Sequence, residues 1–207
     1  GSAAQGLVDD GWVAIALADP LEWFCRELFR FDNTTLFGAS QLRGVPWPDA
    51  RHWRWWEDVR FRACSMGYRI DQLFQGHVTG AAAGQVLLDI IDKCDSSFPD
   101  FSARDALQQV GTDWGRTLWN DIWVTAAKRV LDAMVDGDRV YRHATGVEPR
   151  PGAPAPKGFV ITDGRFLNEL EATRAWGGHA LWCDASKRLP PPTDPHPSEP
   201  KWEEFKH

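Results

Sequence analysis

The sequence has no apolar run near the roughly 20 residues a membrane-crossing helix requires, and no charged-then-apolar leader opens it. Both absences point to a soluble, cytoplasmic protein with no membrane partner. Cysteine is sparse: Cys25, Cys64, Cys94 and Cys183 are scattered, with no CxxC pair and no histidine nearby at ligand spacing. That argues against a zinc site or a disulfide framework and for reduced thiols. Positive charge is not in excess either. The net charge of −6 excludes a broad electrostatic grip on nucleic acid, so any anion site must be a local cluster. No internal repeat is present.

The 207 residues, 43% of them hydrophobic, suffice for one substantial core with a smaller lid or insertion. The twelve tryptophans bring large apolar areas, each with one N–H that needs a partner when buried. Trp53, Trp55 and Trp56 lie among Arg51, His52, Arg54, Glu57 and Asp58, as on a packed helix or on a face turned to a subunit or a base. The most informative stretch is 157–183. Phe159, Val160 and Ile161 form a short strand-like run ending at Asp163; Phe166, Leu167, Leu170 and Trp176 then recur at near-helical spacing. Gly177-Gly178 stops that helix and residues 179–183 resume a strand, so the unit has the form of a parallel-sheet crossover. In such sheets ligands sit outside the carboxyl ends of the strands, where Asp163 falls. A carboxylate there can hold Mg²⁺ and Arg165 can offer a planar fork to phosphate; a turn or a helix cap is the other reading of Asp163.

Earlier in the chain, residues 2–8 suit a helix ended by Asp9-Asp10-Gly11, and residues 12–17 a strand. Asp19-Pro20 opens the next helix, with Asp as cap and Leu21, Phe24, Cys25, Leu28 and Phe29 as the buried stripe. Residues 31–56 look loop-like; within them Ser40 and Arg43 are candidate phosphate contacts or ordinary solvated loop residues. Helices are expected over 57–68, 79–94 and 120–135, and Ser102–Asp105 has the form of a capping box. Gly111-Thr112-Asp113-Trp114-Gly115-Arg116 forms either a ligand-approaching turn with a flat face and a cationic fork or a helix-helix corner. Residues 139–150 show no decisive pattern, and 149–156 form a proline-rich loop.

Four segments occur in the order found in one known family: Ala18-Asp19-Pro20-Leu21; residues 106–116, ending Gly-Thr-Asp-Trp-Gly-Arg; Val160-Ile161-Thr162-Asp163-Gly164-Arg165-Phe166-Leu167-Asn168-Glu169; and His196-Pro197-Ser198-Glu199. Residues 37–43 add a weaker match. In these the chain resembles the bacteriophage-type deoxynucleoside monophosphate kinases, a branch of the phosphate-loop nucleoside monophosphate kinases. Residues 51–101 match poorly. The resemblance implies an α/β fold: a phosphate-loop kinase-like parallel sheet flanked by helices, one domain over 1–207, with 31–101 a largely helical acceptor-side insertion and 184–200 a lid loop. The family opens on a strand and a phosphate loop, and Gly1-Ser2 aligns with that loop's last two residues; its glycines and lysine do not occur here. The expectation is therefore that the true ends lie outside these residues, and that activity is conditional on an upstream loop.

The implied reaction transfers the γ-phosphoryl group of ATP to a deoxynucleoside 5′-monophosphate, with Mg²⁺ as cofactor. By the same resemblance Asp163 helps hold Mg²⁺, with Ser2 as a direct ligand. Asp19, otherwise a plain helix cap, orients acceptor or metal. Arg116 and Arg165 bind phosphate, Trp114 and Gly115 face the base, and Ser40 and Arg43 serve the acceptor. Asn168 and Glu169 support the site, Glu169 being otherwise a solvated helix charge, and Lys187 and Arg188 are lid cations on ATP. Two other readings stand beside this one: a phage kinase acting on a modified base in DNA, with 51–62 serving the strand, and a non-catalytic nucleotide-fold module in a larger assembly. A homodimer through the tryptophan-rich segment is a further expectation, as is the host-cell cytoplasm for a phage-encoded enzyme.

Overall fold

A computed structural model of the chain describes residues 3–96 and 100–180, which fall into two compact units, Gly1–Thr162 and Asp163–His207. The architecture is α/β and mostly helical. The first unit opens with helix α1 (Ala3–Asp9), which Gly11 at φ 93° turns into strand β1 (Val13–Ile15). Helix α2 (Asp19–Phe29) follows, with Pro20 in its first turn, where a missing N–H costs nothing. Its predicted stripe of Leu21, Phe24, Cys25, Leu28 and Phe29 is buried throughout. Each such side chain removed from water contributes about 1.5–3 kcal/mol before entropy is counted.

Residues 31–56, expected as loop, are more ordered than that. Asp32 accepts the Thr35 N–H at 2.7 Å and so caps the short helix α3 (Asn33–Phe37), and tight turns cover Ser40–Gly44 and Pro48–Arg51. Helix α4 (Trp53–Ser65) starts four residues before the expected 57, and α5 (Gly67–Phe74) follows directly. Trp56 is buried with its indole N–H on the Ala50 carbonyl at 2.9 Å, whereas Trp53 stays exposed. Thus the tryptophan-rich segment is chiefly a packed helix face.

Helix α6 (Gly80–Ser96) and α7 (Ala103–Gln108) complete the main core with α2, α4 and α5. The capping box at α7 forms as expected from Ser102 and Asp105. The two glycines that follow do not make a corner. Gln109–Arg116 continues α7 as a widened π-type turn, in which the Gly111 carbonyl accepts the Trp123 indole N–H at 2.9 Å. A Cβ at Gly111 would lie 2.6 Å from a Leu21 methyl, and one at Gly115 2.8 Å from the Trp123 ring, so both glycines are needed for close packing.

Helix α8 (Ile122–Met134) leads to an antiparallel hairpin, β2 (Arg139–Arg142) with β3 (Gly146–Pro149), over the stretch that had no decisive pattern. Strand β4 (Phe159–Ile161) then pairs parallel with β1, Val13 opposite Phe159 and Ile15 opposite Ile161. The described parallel sheet is thus a two-stranded pair of β1 with β4, not the pair of 159–161 with 179–183 expected from the crossover reading.

In the second unit, helix α9 (Leu167–Ala175) ends before Gly177, at φ 84°, as the sequence indicates. His179 and Ala180 carry no strand; the rest of the strand expected over 179–183 and the lid segment 184–200 lie outside the described residues.

Candidate functional site

The first unit gathers charged side chains where β1 runs into α2. Asp19, the first residue of α2, does not cap the helix: its Oδ2 turns back to accept the Ala16 N–H at 3.1 Å. Glu22 lies three residues on, on the same helical face. Both carboxylates are almost fully enclosed, at 1% and 2% exposure, yet they sit in the first turn, where the helix dipole favours negative charge. They need partners, because an isolated buried charge is costly.

Two cations supply them. Arg43, from the turn Ser40–Gly44, places Nη2 2.8 Å from Glu22 Oε1, and its Nε donates to the Leu36 carbonyl at 2.8 Å. The guanidinium is therefore held in a fixed plane. His143, at the tip of the β2–β3 hairpin, brings Nδ1 to 2.6 Å from Asp19 Oδ1, a close ion-pair contact without the alignment of a good hydrogen bond. Its Nε2 lies 3.6 Å from Glu22 Oε2. Contact with Asp19 is the main reason the imidazole holds its proton above the usual histidine range; burial and Arg43 oppose, and the Glu22 charge assists. Burial, with the same Glu22 charge second, pushes the Cys25 thiol well up.

The hairpin tip is fastened to α2 from the outside. The Trp23 indole N–H donates to the His143 carbonyl at 2.8 Å, and Arg26 Nη1 donates to the carbonyl of Ala144. Phe37 meets the His143 ring edge-on with centroids 5.0 Å apart. Within the turn, Glu148 accepts from the Thr145 hydroxyl and from Arg142 Nε, the latter at 3.1 Å. Ligand atoms of Asp19, Glu22 and His143 lie within 4.8 Å of one another, close enough for one cation to be shared. Chemically the cluster offers two buried carboxylates, a half-exposed imidazole and an oriented guanidinium.

Of the residues singled out from the sequence, Asp19 and Arg43 meet here, joined through Glu22. The others in this unit are elsewhere. Trp114 is fully buried; Phe24 stacks on it at 5.1 Å, Phe74 meets it edge-on at 5.2 Å, and its N–H donates to the Ala83 carbonyl at 2.8 Å. Its faces are occupied by core rings, so the expected base-stacking role does not hold. Gly115 is packed under Trp123 rather than open to a ligand. Arg116 reaches the Asn120 side chain at 2.9 Å. Ser40 is exposed, and its carbonyl accepts from Arg104 at 3.2 Å.

In the second unit Arg165 is exposed, and Asp163 and Asn168 are half-buried. Glu169 is a structural cap: its Oε2 accepts the N–H groups of Arg165 at 2.6 Å and Phe166 at 3.0 Å, satisfying donors around the start of α9. Ser2, Lys187 and Arg188 lie outside the described residues.

Glu22 and His143 were missed in the sequence. The signal for Glu22 was its spacing from Asp19; for His143 it was the strand-forming pair Val140-Tyr141 followed by a turn ending at Gly146, a hairpin signature. Comparison of the chain with models of known protein families, with curated proteins and with solved structures finds no match.

Proposed function

We propose that the chain is a deoxynucleoside monophosphate kinase, moving the γ-phosphoryl group of ATP to a deoxynucleoside 5′-monophosphate. In this reading β1 and β4 belong to a phosphate-loop kinase-type parallel sheet. The observation that carries it is the Asp19–Glu22–Arg43–His143 cluster at the carboxyl end of β1, where parallel α/β sheets take their ligands. The segment resemblance described above supplies the reaction class.

The donor set suits Mg²⁺. That ion prefers oxygen ligands and is commonly held by one or two carboxylates together with substrate phosphates, and Asp19 and Glu22 supply such a pair. Bound there, Mg²⁺ would neutralise charge on the transferring phosphoryl group. A histidine is not a usual ligand for it, so His143 serves as the partner that holds the Asp19 side chain in place. No Gly-x-x-x-x-Gly-Lys-Ser/Thr segment occurs in the sequence, and the donor triphosphate is assigned no cradle.

Arg43 presents its guanidinium to the acceptor phosphate, its plane set by Glu22 and the Leu36 carbonyl. Arg116 enters by resemblance as a phosphate contact; in the second unit Asp163, Arg165 and Asn168 carry by resemblance alone a metal-binding carboxylate, a phosphate-binding arginine and a supporting amide.

The test incubates the full-length gene product with Mg²⁺ and γ-labelled ATP, offering each deoxynucleoside monophosphate and, separately, single-stranded DNA. Label in a deoxynucleoside diphosphate is the expected result; label in DNA would move the acceptor to a polymer, and no transfer to any acceptor sinks the enzyme. Arg43→Lys keeps the charge but loses the fork, and at the strength of a charged hydrogen bond it should lower kcat/KM by about 10- to 100-fold. Asp163→Asn should abolish turnover in a protein that still folds.

A further inference from the structure

At the other end of α2, about 15 Å along the axis at 1.5 Å per residue, lies a second charged site. Here a pocket of about 360 Å³ opens between the end of α2 and the junction of α4 and α5, lined by Glu27, Arg30, Arg62, Ser65, Tyr68 and Arg69 with Met66. That volume lies at the small end of the roughly 300–1,000 Å³ usual for ligand pockets. Three guanidinium groups against one lining carboxylate are out of keeping with a chain of net charge −6.

Arg62 is fixed. Its Nε donates to the Leu28 carbonyl at 2.7 Å, while its Nη2 is enclosed with no hydrogen-bond partner. Burial, and next the charge of Arg30, make it harder for Arg62 to stay charged, with Asp58 partly compensating. Arg30 occupies the left-handed cap position of α2 at φ 60°, strain that a non-glycine residue bears there. Glu27 pairs with Arg69, which leaves Arg30 and Arg62 lining the same opening with like charge. Such a pair is stabilised when an anion lies between its members. Tyr68, at the same rim, is 75% exposed and sets a flat aromatic side chain beside the cations.

We propose that this pocket binds a nucleoside phosphate, the arginines taking the phosphate and the Tyr68 ring stacking on the base. Phosphate and base need different partners, and the pocket offers both within one opening. The site is distinct from the cluster at Asp19, and the inference does not rest on the kinase reading. A free nucleotide is favoured over a polymer, because the protein's acidic balance gives no extended track for a backbone.

The test is calorimetric titration of the full-length protein with each deoxynucleoside triphosphate and with inorganic phosphate, in EDTA to suppress metal-dependent binding elsewhere. Arg30→Asn removes the charge while keeping a residue tolerant of the left-handed cap, and Tyr68→Ala removes the exposed ring. Both should weaken triphosphate binding at least tenfold, whereas Arg139→Lys, at an exposed position of β2, should leave it unchanged. Phosphate should bind more weakly than the nucleotide and be insensitive to Tyr68→Ala. Binding lost in Arg43→Lys and kept in Arg30→Asn would place the nucleotide at the other site and overturn the inference. So would no binding, or single-stranded DNA binding more tightly than the free nucleotide with the same sensitivity to Arg30→Asn.

Discussion

Replacing Gly115 by alanine tests the packing of the π-type turn against α8. A methyl group there would lie 2.8 Å from Cζ2 and 3.0 Å from Cε2 and Nε1 of Trp123. The indole has little room to yield, because it is 4% exposed and its N–H is held by the Gly111 carbonyl at 2.9 Å. Forcing extra volume into such a site costs about 1–3 kcal/mol, and breaking the buried hydrogen bond adds roughly 1 kcal/mol. Alanine's better helix propensity returns up to about 1 kcal/mol. The net loss is roughly 2 kcal/mol, which for a chain of this size lowers Tm by about 4–8 °C. Gly84, inside α6, is the internal comparison: a Cβ there meets nothing within 4 Å. Gly84→Ala should gain about 0.5–1 kcal/mol and raise Tm by about 1–4 °C. Thermal unfolding followed by circular dichroism reads both. If Gly115→Ala matches or exceeds the wild-type Tm, the clash does not exist and the argument for the two glycines fails.

Two further outcomes follow from burial and charge. Cys64 is exposed, Cys25 is buried, and burial pushes the Cys94 thiol up to about 12. An alkylating reagent at pH 8 should therefore label Cys64 in the native protein and reach Cys25 and Cys94 only after denaturation; native labelling of Cys94 in peptide-resolved mass spectrometry would show that the core opens there. Glu148 is held below the usual carboxylate range, first by the Thr145 hydroxyl and then by Arg142. Because its folded pKa is depressed, its contribution is present above the ordinary glutamate value and is lost as pH falls through the folded one. The stability gap between wild type and Glu148→Gln should close in acid, and a gap that stays constant down to pH 3 would show that Glu148 does not brace the turn.

What the sequence made legible was local. The Ser102–Asp105 cap, the stripe of α2 and the stop at Gly177 each depend on residues within a few positions of one another, where caps and helical periodicity act. Strand β4 was legible as an apolar run of strand formers. Asp19 was marked as important, but its side chain turns towards Ala16 and His143 instead of capping α2, because its two oxygens are taken by the Ala16 N–H and the imidazole. The Gly111–Gly115 stretch looked like a break because glycine ordinarily ends helices; the chain continues there because Leu21 and Trp123 occupy the space that side chains would need. The cluster itself unites residues from α2, the turn Ser40–Gly44 and the hairpin tip, and no spacing rule within one segment could have joined them.

The pairing of β1 with β4 also has a kinetic consequence. It joins residue 13 to residue 159 through a ladder only three residues long, while the helices between them share one buried core. Loop-closure entropy must be overcome before those few backbone bonds form, so the helical core can assemble first and the two strands meet last. By the same reasoning their amides should exchange with solvent more readily than those of α2 or α6. The β1–β4 pair is then the part of the protein that arrives late and opens early.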